Sequence, residues 1–156
     1  MKKLISIIAL TCMLVVPVSL TAAEATSEKQ ARTALKFRQS LFQLIRSNMG
    51  DLGAMAKGQK PFDAAVMEKN GMRLEQLSLM IGDYLALDTR KYKLDTEALD
   101  KVWVESDEFA EKIEALTNAA QNLHLAAKAG DESKFRPAIG AVGKSCKGCH
   151  DAFKAD

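Results

Sequence analysis

Residues 146–150 read Cys146-Lys147-Gly148-Cys149-His150 and lie close to the C-terminal end of the 156-residue chain. Two cysteines three positions apart lie on the same side of one helical turn, so both thiols can react with one flat partner. The histidine that follows can offer an imidazole nitrogen to a metal at the centre of that partner. Cys-x-x-Cys-His is the attachment pattern of a c-type haem. The stretch therefore predicts one haem c, held by two thioether bonds from Cys146 and Cys149 and ligated by His150.

Three other interpretations of these cysteines explain less. A thioredoxin-like redox pair needs a strand–helix–strand pattern around it, and the sequence shows none. A disulfide between helical cysteines three positions apart is strained by its geometry. A zinc site needs four ligands, and His124 is the only obvious soft candidate beyond the motif. The haem interpretation accounts for both cysteines and the histidine together.

The first 23 residues have the pattern of a secretory signal peptide. Two lysines precede an apolar run from Leu4 to Val16, and small residues up to Ala23 suit cleavage, with cleavage after Ala25 as the alternative. The apolar run is too short for a membrane span, so no stable membrane anchor is expected. Bacterial haem c is attached outside the cytoplasm, and the expected location is therefore the periplasm.

Removal of this segment leaves residues 24–156, about 133 residues, which fits a single haem domain with a buried core. The loss of Lys2 and Lys3 leaves 20 basic and 20 acidic residues, a formal net charge of zero. No strongly basic surface is predicted, which argues against nucleic acid as a partner. The two cysteines of this region both belong to the haem motif, so no disulfide framework is available.

Apolar residues recur at steps of three and four through this region, which predicts helices. Helices are expected over about 27–55, from 63 to near 82, over about 102–129, and from about 135 through the haem motif. Asp63 is expected to begin the second helix, Gly82 to end or loosen it, and Gly130 to stop the third. Pro137 suits the first turn of the fourth. Four helices with mostly short links predict an all-α fold, an antiparallel up-down-up-down four-helix bundle.

One residue of the first helix breaks its expected apolar stripe. Arg38 occupies a position where an apolar side chain is expected, and a buried guanidinium without a partner is costly. A haem supplies two propionates, which the planar fork of arginine donors matches, and Gln39 beside it can add a hydrogen bond. The alternative is that Arg38 reaches solvent or pairs with a glutamate. The stripe is Leu35, Arg38, Phe42, Ile45, Met49 and Leu52.

The sequence resembles the cytochromes c′, the class II c-type cytochromes whose haem motif lies near the C-terminus. The likeness spans nearly all of residues 24–156 and depends on the order and spacing of several short stretches. These are Phe37-Arg38-Gln39-Ser40, Lys57-Gly58-Gln59-Lys60-Pro61-Phe62-Asp63-Ala64-Ala65, Val102-Trp103, Ala129-Gly130-Asp131, and Val142-Gly143-Lys144-Ser145 followed by the haem motif and Asp151-Ala152-Phe153-Lys154.

The resemblance implies a four-helix bundle with the haem near one end, often as a homodimer packed through the first two helices. It also implies that Arg38 and Gln39 contact the haem propionates and that Glu97 lies at a further haem-contact position. In low-spin relatives a methionine of the first helix ligates the iron, and Phe42 occupies that position here. Because phenylalanine has no donor atom, the resemblance implies a five-coordinate, high-spin iron with Phe42 over its distal face.

The expected function is therefore the binding of nitric oxide and carbon monoxide by a periplasmic haem protein that can also pass electrons to redox partner proteins. No catalytic residues are expected, because no distal acid–base group is evident, and the protein is not expected to be an enzyme. The alternative is a low-spin, six-coordinate electron-transfer cytochrome of the same class, with Met49 as the first candidate for a sixth ligand.

Overall fold

The computed structural model describes residues 22–155, so the predicted signal peptide lies outside the described residues except for its last two positions. In the described part, no helix combines the length and apolar composition needed to cross a membrane. The helices are α1 (Glu28–Ala56), α2 (Ala64–Leu79), α3 (Ile81–Leu85), α4 (Lys101–Val104), α5 (Ser106–Ala129) and α6 (Phe135–Phe153).

The four long helices form the predicted bundle. α1 packs along α2, α2 along α5, and α5 along α6, while α1 and α6 meet over a smaller contact. Each long helix contributes to a single core because its apolar residues recur on one side. The most deeply buried large side chains are Leu52, Met67, Leu74, Leu123, Phe135 and Val142. The all-α bundle is thus confirmed.

Local side-chain chemistry explains where the helices begin and end. The hydroxyl of Ser27 accepts the Gln30 N–H at 3.2 Å, and the carboxylate of Asp63 accepts the Val66 N–H at 3.0 Å. Such N-caps satisfy backbone donors that a helix leaves free, and each contributes about 1 kcal/mol. Gly130 ends α5 in the left-handed conformation, with φ of 68°. The predicted roles of Asp63 and Gly130 are confirmed.

Two predicted boundaries are wrong. The second helix is interrupted at Met80, not at Gly82, because the Met80 N–H bonds the Leu77 carbonyl in a tightened turn at 3.2 Å, and α3 then runs through Gly82. The predicted third helix is two helices, since Glu105 leaves the helical region with φ −110° and ψ 49°. The long connection therefore spans residues 86–100 and is flanked by two short helices.

The buried face of α1 differs from the predicted apolar stripe at one point, where Leu41 is buried in place of Phe42. Arg38, Ile45 and Leu52 are buried as expected, but Leu41 is buried and Phe42 is 39% exposed. Phe42 therefore lies at the edge of the buried stripe, with part of its ring free.

Helices α2 and α5 approach each other closely at Gly71. A Cβ atom added to Gly71 would lie 2.8 Å from the backbone nitrogen and 3.0 Å from the Cα of His124. We expect Gly71→Ala to lower the free energy of unfolding by about 1–3 kcal/mol, because overpacking outweighs the better helix propensity of alanine. Chemical denaturation measures this difference.

Gly140→Ala is the matched control, because a Cβ at Gly140 of α6 meets no atom within 4 Å. That change should be neutral or raise the free energy of unfolding by up to about 1 kcal/mol through helix propensity. If both variants behaved alike, the close crossing of α2 and α5 would be disproved.

Candidate functional site

α6 presents the two cysteines of the motif together. Cys146 and Cys149 are half-buried, carry free thiols, and continue the inward stripe of α6, which includes Ile139, Val142 and Phe153. Because the spacing is three residues in a regular helix, the two thiols lie on the same side of one turn. The geometry is the one expected for two bonds to a single flat group.

The environment of these thiols does not favour redox exchange. Burial raises the pKa of the Cys146 thiol above its ordinary value. Burial also raises the pKa of Cys149, and the neighbouring Cys146 adds to the effect while Lys112 opposes it. Reactive dithiols lower the thiol pKa to increase the thiolate fraction, so this pair differs from thioredoxin-like motifs.

The two histidines have separate surroundings. His150 follows the cysteines on α6 and is solvent-exposed, and its carbonyl accepts the Lys154 N–H at 3.1 Å. His124 is half-buried between α5 and α2, with its ring nitrogens 3.9 Å from Glu68 and 3.8 Å from Glu75. The zinc interpretation needed His124 as a fourth ligand, and its surroundings instead give it a structural role between helices.

Arg38 is buried, and every acceptor that it contacts is neutral. Its Nε–H donates to the Tyr84 carbonyl at 2.8 Å, one terminal nitrogen donates to the Thr89 hydroxyl at 2.9 Å, and the other donates to the Leu87 carbonyl. Burial lowers the pKa of Arg38 from its ordinary value, although the charge of Asp88 acts in the opposite direction. Because arginine is not deprotonated in proteins, this positive charge lies in a site where no contacting group neutralises it.

The nearest carboxylate is already engaged. The Arg90 side chain donates to both carboxylate oxygens of Asp88, at 2.6 to 3.0 Å, and these bonds hold the pKa of Asp88 below its usual range. The Trp103 ring lies against both guanidinium groups. Its centroid is 5.3 Å from the Cζ atom of Arg38 and 5.8 Å from the Cζ atom of Arg90. Its indole N–H donates to the Leu85 carbonyl at 2.9 Å.

The segment around Asp88 is also hydrogen-bonded to the first residues that the structure describes. The Ala25 N–H donates to the Asp88 carbonyl, and the Asp88 N–H donates to the Ala23 carbonyl, both at 2.8 Å. Sequence reasoning missed Asp88, Thr89 and Arg90, because they lie in a connection without periodicity. The signal that could have found them is a pair of opposite charges, Asp88 and Arg90, close together in this connection.

The remaining predicted site residues lie at the surface. Gln39 is exposed beside Arg38, and Phe42 follows Arg38 by one helical turn with 39% of its surface exposed. The exposed Glu97 side chain lies 3.1 Å from the ammonium of Lys154. Contacts of Arg38, Gln39, Phe42 and Glu97 with a haem stay predictions.

The residues present fit a c-type haem. Cys146 and Cys149 offer two half-buried thiols on one side of α6, as two thioether bonds require. Arg38 offers a buried positive charge whose direct partners are neutral, which suits a propionate. When bound, such a group supplies an iron that accepts a histidine ligand and a small molecule.

Comparison with known proteins agrees with this chemistry. A family model described as Cytochrome C′ matches residues 33–154. The cytochrome c′ of Rubrivivax gelatinosus is 37% identical over 121 residues, which cover 78% of this chain and 93% of that protein.

Solved structures show the same likeness. The cytochrome c prime of Shewanella frigidimarina is similar with a TM-score of 0.74 and 40% identity, over 83% of this chain and 100% of that one. A nitric oxide complex of a single-site variant of cytochrome c prime from Alcaligenes xylosoxidans has a TM-score of 0.70 and 34% identity, over 81% and 96% of the two chains. The chain belongs to the cytochrome c′ family, and membership of that family implies a c-type haem.

Proposed function

We propose that this protein is an exported haem protein that binds nitric oxide and carbon monoxide at a five-coordinate iron. One haem c is attached through Cys146 and Cys149, and His150 is its protein ligand. The observation that carries the proposal is Phe42, a partly exposed side chain without a donor atom, one turn from the buried Arg38. The nitric oxide complex of the related protein from Alcaligenes xylosoxidans supports the choice of gas.

Arg38 and Gln39 are proposed to contact the haem propionates. The buried charge of Arg38 supports this role, because its contacts within the chain are two carbonyls and one hydroxyl. A carboxylate would complete an ion pair that the chain itself leaves open. Gln39 is exposed at the adjacent position and has both a donor and an acceptor available for the same end of the haem.

The low-spin alternative depends on a methionine reaching the iron. Met49 is half-buried and packs against the hydrophobic core, where a methionine ordinarily fills space. Electron exchange with redox partner proteins is compatible with an open coordination position. We propose gas binding as the main function and electron exchange as a second one. Phe42 carries no proton for general acid–base catalysis, so binding is proposed in place of an enzymatic reaction.

The N-terminal segment supports export to the periplasm. Its two lysines, short apolar run and small residues before Glu24 are the pattern that secretion signals share. Haem attachment through two cysteines takes place on that side of the bacterial inner membrane. Covalent haem attachment therefore requires export, so the proposed function depends on the proposed location.

A homodimer is proposed through α1 and α2. Four exposed apolar side chains lie on these neighbouring helices, with exposed fractions of 55% for Phe37, 53% for Leu44, 47% for Met72 and 56% for Leu79. Each pair is spaced by seven residues, which places both members on one side of their helix. Clustered apolar surface of this kind marks an interface, and a second copy of this chain would cover it.

Leu44→Glu combined with Leu79→Glu should convert a dimer into a monomer, because both changes place charge at the proposed interface. Sedimentation velocity measures the change in mass. Leu125→Glu on α5 is the matched control, since Leu125 is equally exposed at 53% but lies on another helix. A wild-type monomer at all concentrations would contradict the dimer.

The Phe42→Met variant tests the open coordination position. A methionine sulfur at this position should bind the iron, convert a high-spin spectrum to a low-spin one, and reduce carbon monoxide binding. Absorption spectroscopy of the reduced protein, with and without carbon monoxide, measures both effects.

Phe37→Met makes the same replacement five residues earlier on α1 and should leave the spectrum unchanged. If Phe42→Met also left it unchanged, Phe42 would lie away from the iron and the proposed geometry would be wrong.

A further inference from the structure

The C-terminal end of α6 is fastened to the long connection by a set of contacts that we call the clasp. It consists of residues 97–99 and 153–155, which run antiparallel around a bridge between Ala98 and Lys154. The Leu99 N–H donates to the Phe153 carbonyl at 3.0 Å, and the Ala155 N–H donates to the Glu97 carbonyl at 2.7 Å. These bonds satisfy polar backbone groups where the helix ends.

An ion pair closes the clasp from outside. The Glu97 carboxylate lies 3.1 Å from the Lys154 ammonium, which also donates to the Ala155 carbonyl at 3.0 Å. The Glu97 side chain is 70% exposed and the Lys154 side chain 39% exposed. An exposed ion pair of this kind contributes little to stability. Its main effect is therefore to fix the position of the Lys154 side chain.

Lys154 is attached directly to the residue expected to ligate iron. Its backbone N–H donates to the His150 carbonyl at 3.1 Å, so the same residue ends α6 and holds the ion pair. Beyond the clasp, the Leu99 carbonyl accepts the Val102 N–H at 3.1 Å, and α4 follows with Trp103. The clasp is therefore the contact between the helix end that carries His150 and the segment that leads to the Arg38 site.

We infer that Glu97 is a positioning residue that acts on the haem through Lys154, in place of the direct haem contact that the resemblance implies. This inference rests on the proposed function. While the pair is intact, Glu97 neutralises the charge of Lys154 and fixes its ammonium at the clasp. Without Glu97, the ammonium charge near the helix end is no longer neutralised, and a positive charge there favours the ferrous over the ferric iron. Loss of Glu97 should therefore raise the reduction potential, and the rise should be larger when Lys154 is present, because loss of the carboxylate charge alone contributes in either case.

A double-mutant cycle on the haem-loaded protein tests this dependence. Glu97→Gln should raise the reduction potential more in the wild-type background than in the Lys154→Gln background, because the two effects are coupled. Backbone hydrogen exchange gives a second readout, in which Glu97→Gln should accelerate exchange of the Leu99 and Ala155 amides.

Asp95→Asn is the matched control, since it removes the same charge from an exposed residue of the same connection. It should shift the potential less than Glu97→Gln does and should leave the exchange of the clasp amides unchanged. An equal shift from Glu97→Gln in both backgrounds would show direct action on the haem and overturn the inference, as would no shift in either. Absence of a haem spectrum in the wild type would instead overturn the proposed function.

Discussion

Replacement of both Cys146 and Cys149 by serine should leave the exported chain without covalently bound haem. Serine hydroxyls cannot form thioether bonds, and the structure places both thiols half-buried on one side of α6, as bonding to one flat group requires. Haem staining after denaturing electrophoresis and the mass of the intact chain measure the loss. Each single variant should keep one bond and so retain some stain.

The chain offers its own control for this experiment. Cys12 is the third cysteine and lies in the apolar run of the predicted signal peptide. Cys12→Ser should leave haem attachment complete, because that segment is expected to be removed. Covalent haem in the double variant would contradict the assignment of the motif, whereas loss of haem from Cys12→Ser would contradict the predicted signal.

Arg38→Lys should lower the free energy of unfolding by about 2–4 kcal/mol, although it keeps the charge. A lysine ammonium cannot match the fork that reaches the Tyr84 carbonyl, the Leu87 carbonyl and the Thr89 hydroxyl together. Each buried acceptor left without a donor costs about 1–3 kcal/mol. Chemical denaturation of the haem-loaded protein measures the difference.

Arg46→Lys makes the same replacement at an exposed position of α1 and should change stability by less than about 0.5 kcal/mol. A similar small effect at Arg38 would mean that its hydrogen bonds to residues 84–89 carry no stability. The anchoring of the long connection to α1 would then need another cause.

Local chemistry explains why most of the fold could be predicted. The four long helices follow from apolar spacing, and their ends follow from residues whose side chains or backbone suit a cap, such as Asp63 and Gly130. The interruption at Met80 and the irregular Glu105 could not be predicted, because neither break follows from the apolar spacing of the sequence. No residue with special backbone freedom marks either position.

The site was partly predictable for similar reasons. Arg38 was identifiable because a charge within an apolar stripe requires a partner. Its acceptors are mostly backbone carbonyls, which carry no sequence signal, and Thr89 lies in an aperiodic connection. The choice between Leu41 and Phe42 as the buried residue depends on the packing direction of α1, which three-four spacing leaves open within one position. Glu97 was assigned by resemblance, and its ion pair with Lys154 was not predicted.

The absorption spectrum of the purified, reduced protein, before and after addition of nitric oxide and carbon monoxide, tests the central claim most directly. A five-coordinate iron beside Phe42 should give a broad high-spin band that sharpens and shifts with each gas. Sharp low-spin bands that do not respond to either gas would show a sixth protein ligand. Such a spectrum would contradict the proposed open coordination position and favour the electron-transfer alternative, with Met49 as the first residue to replace.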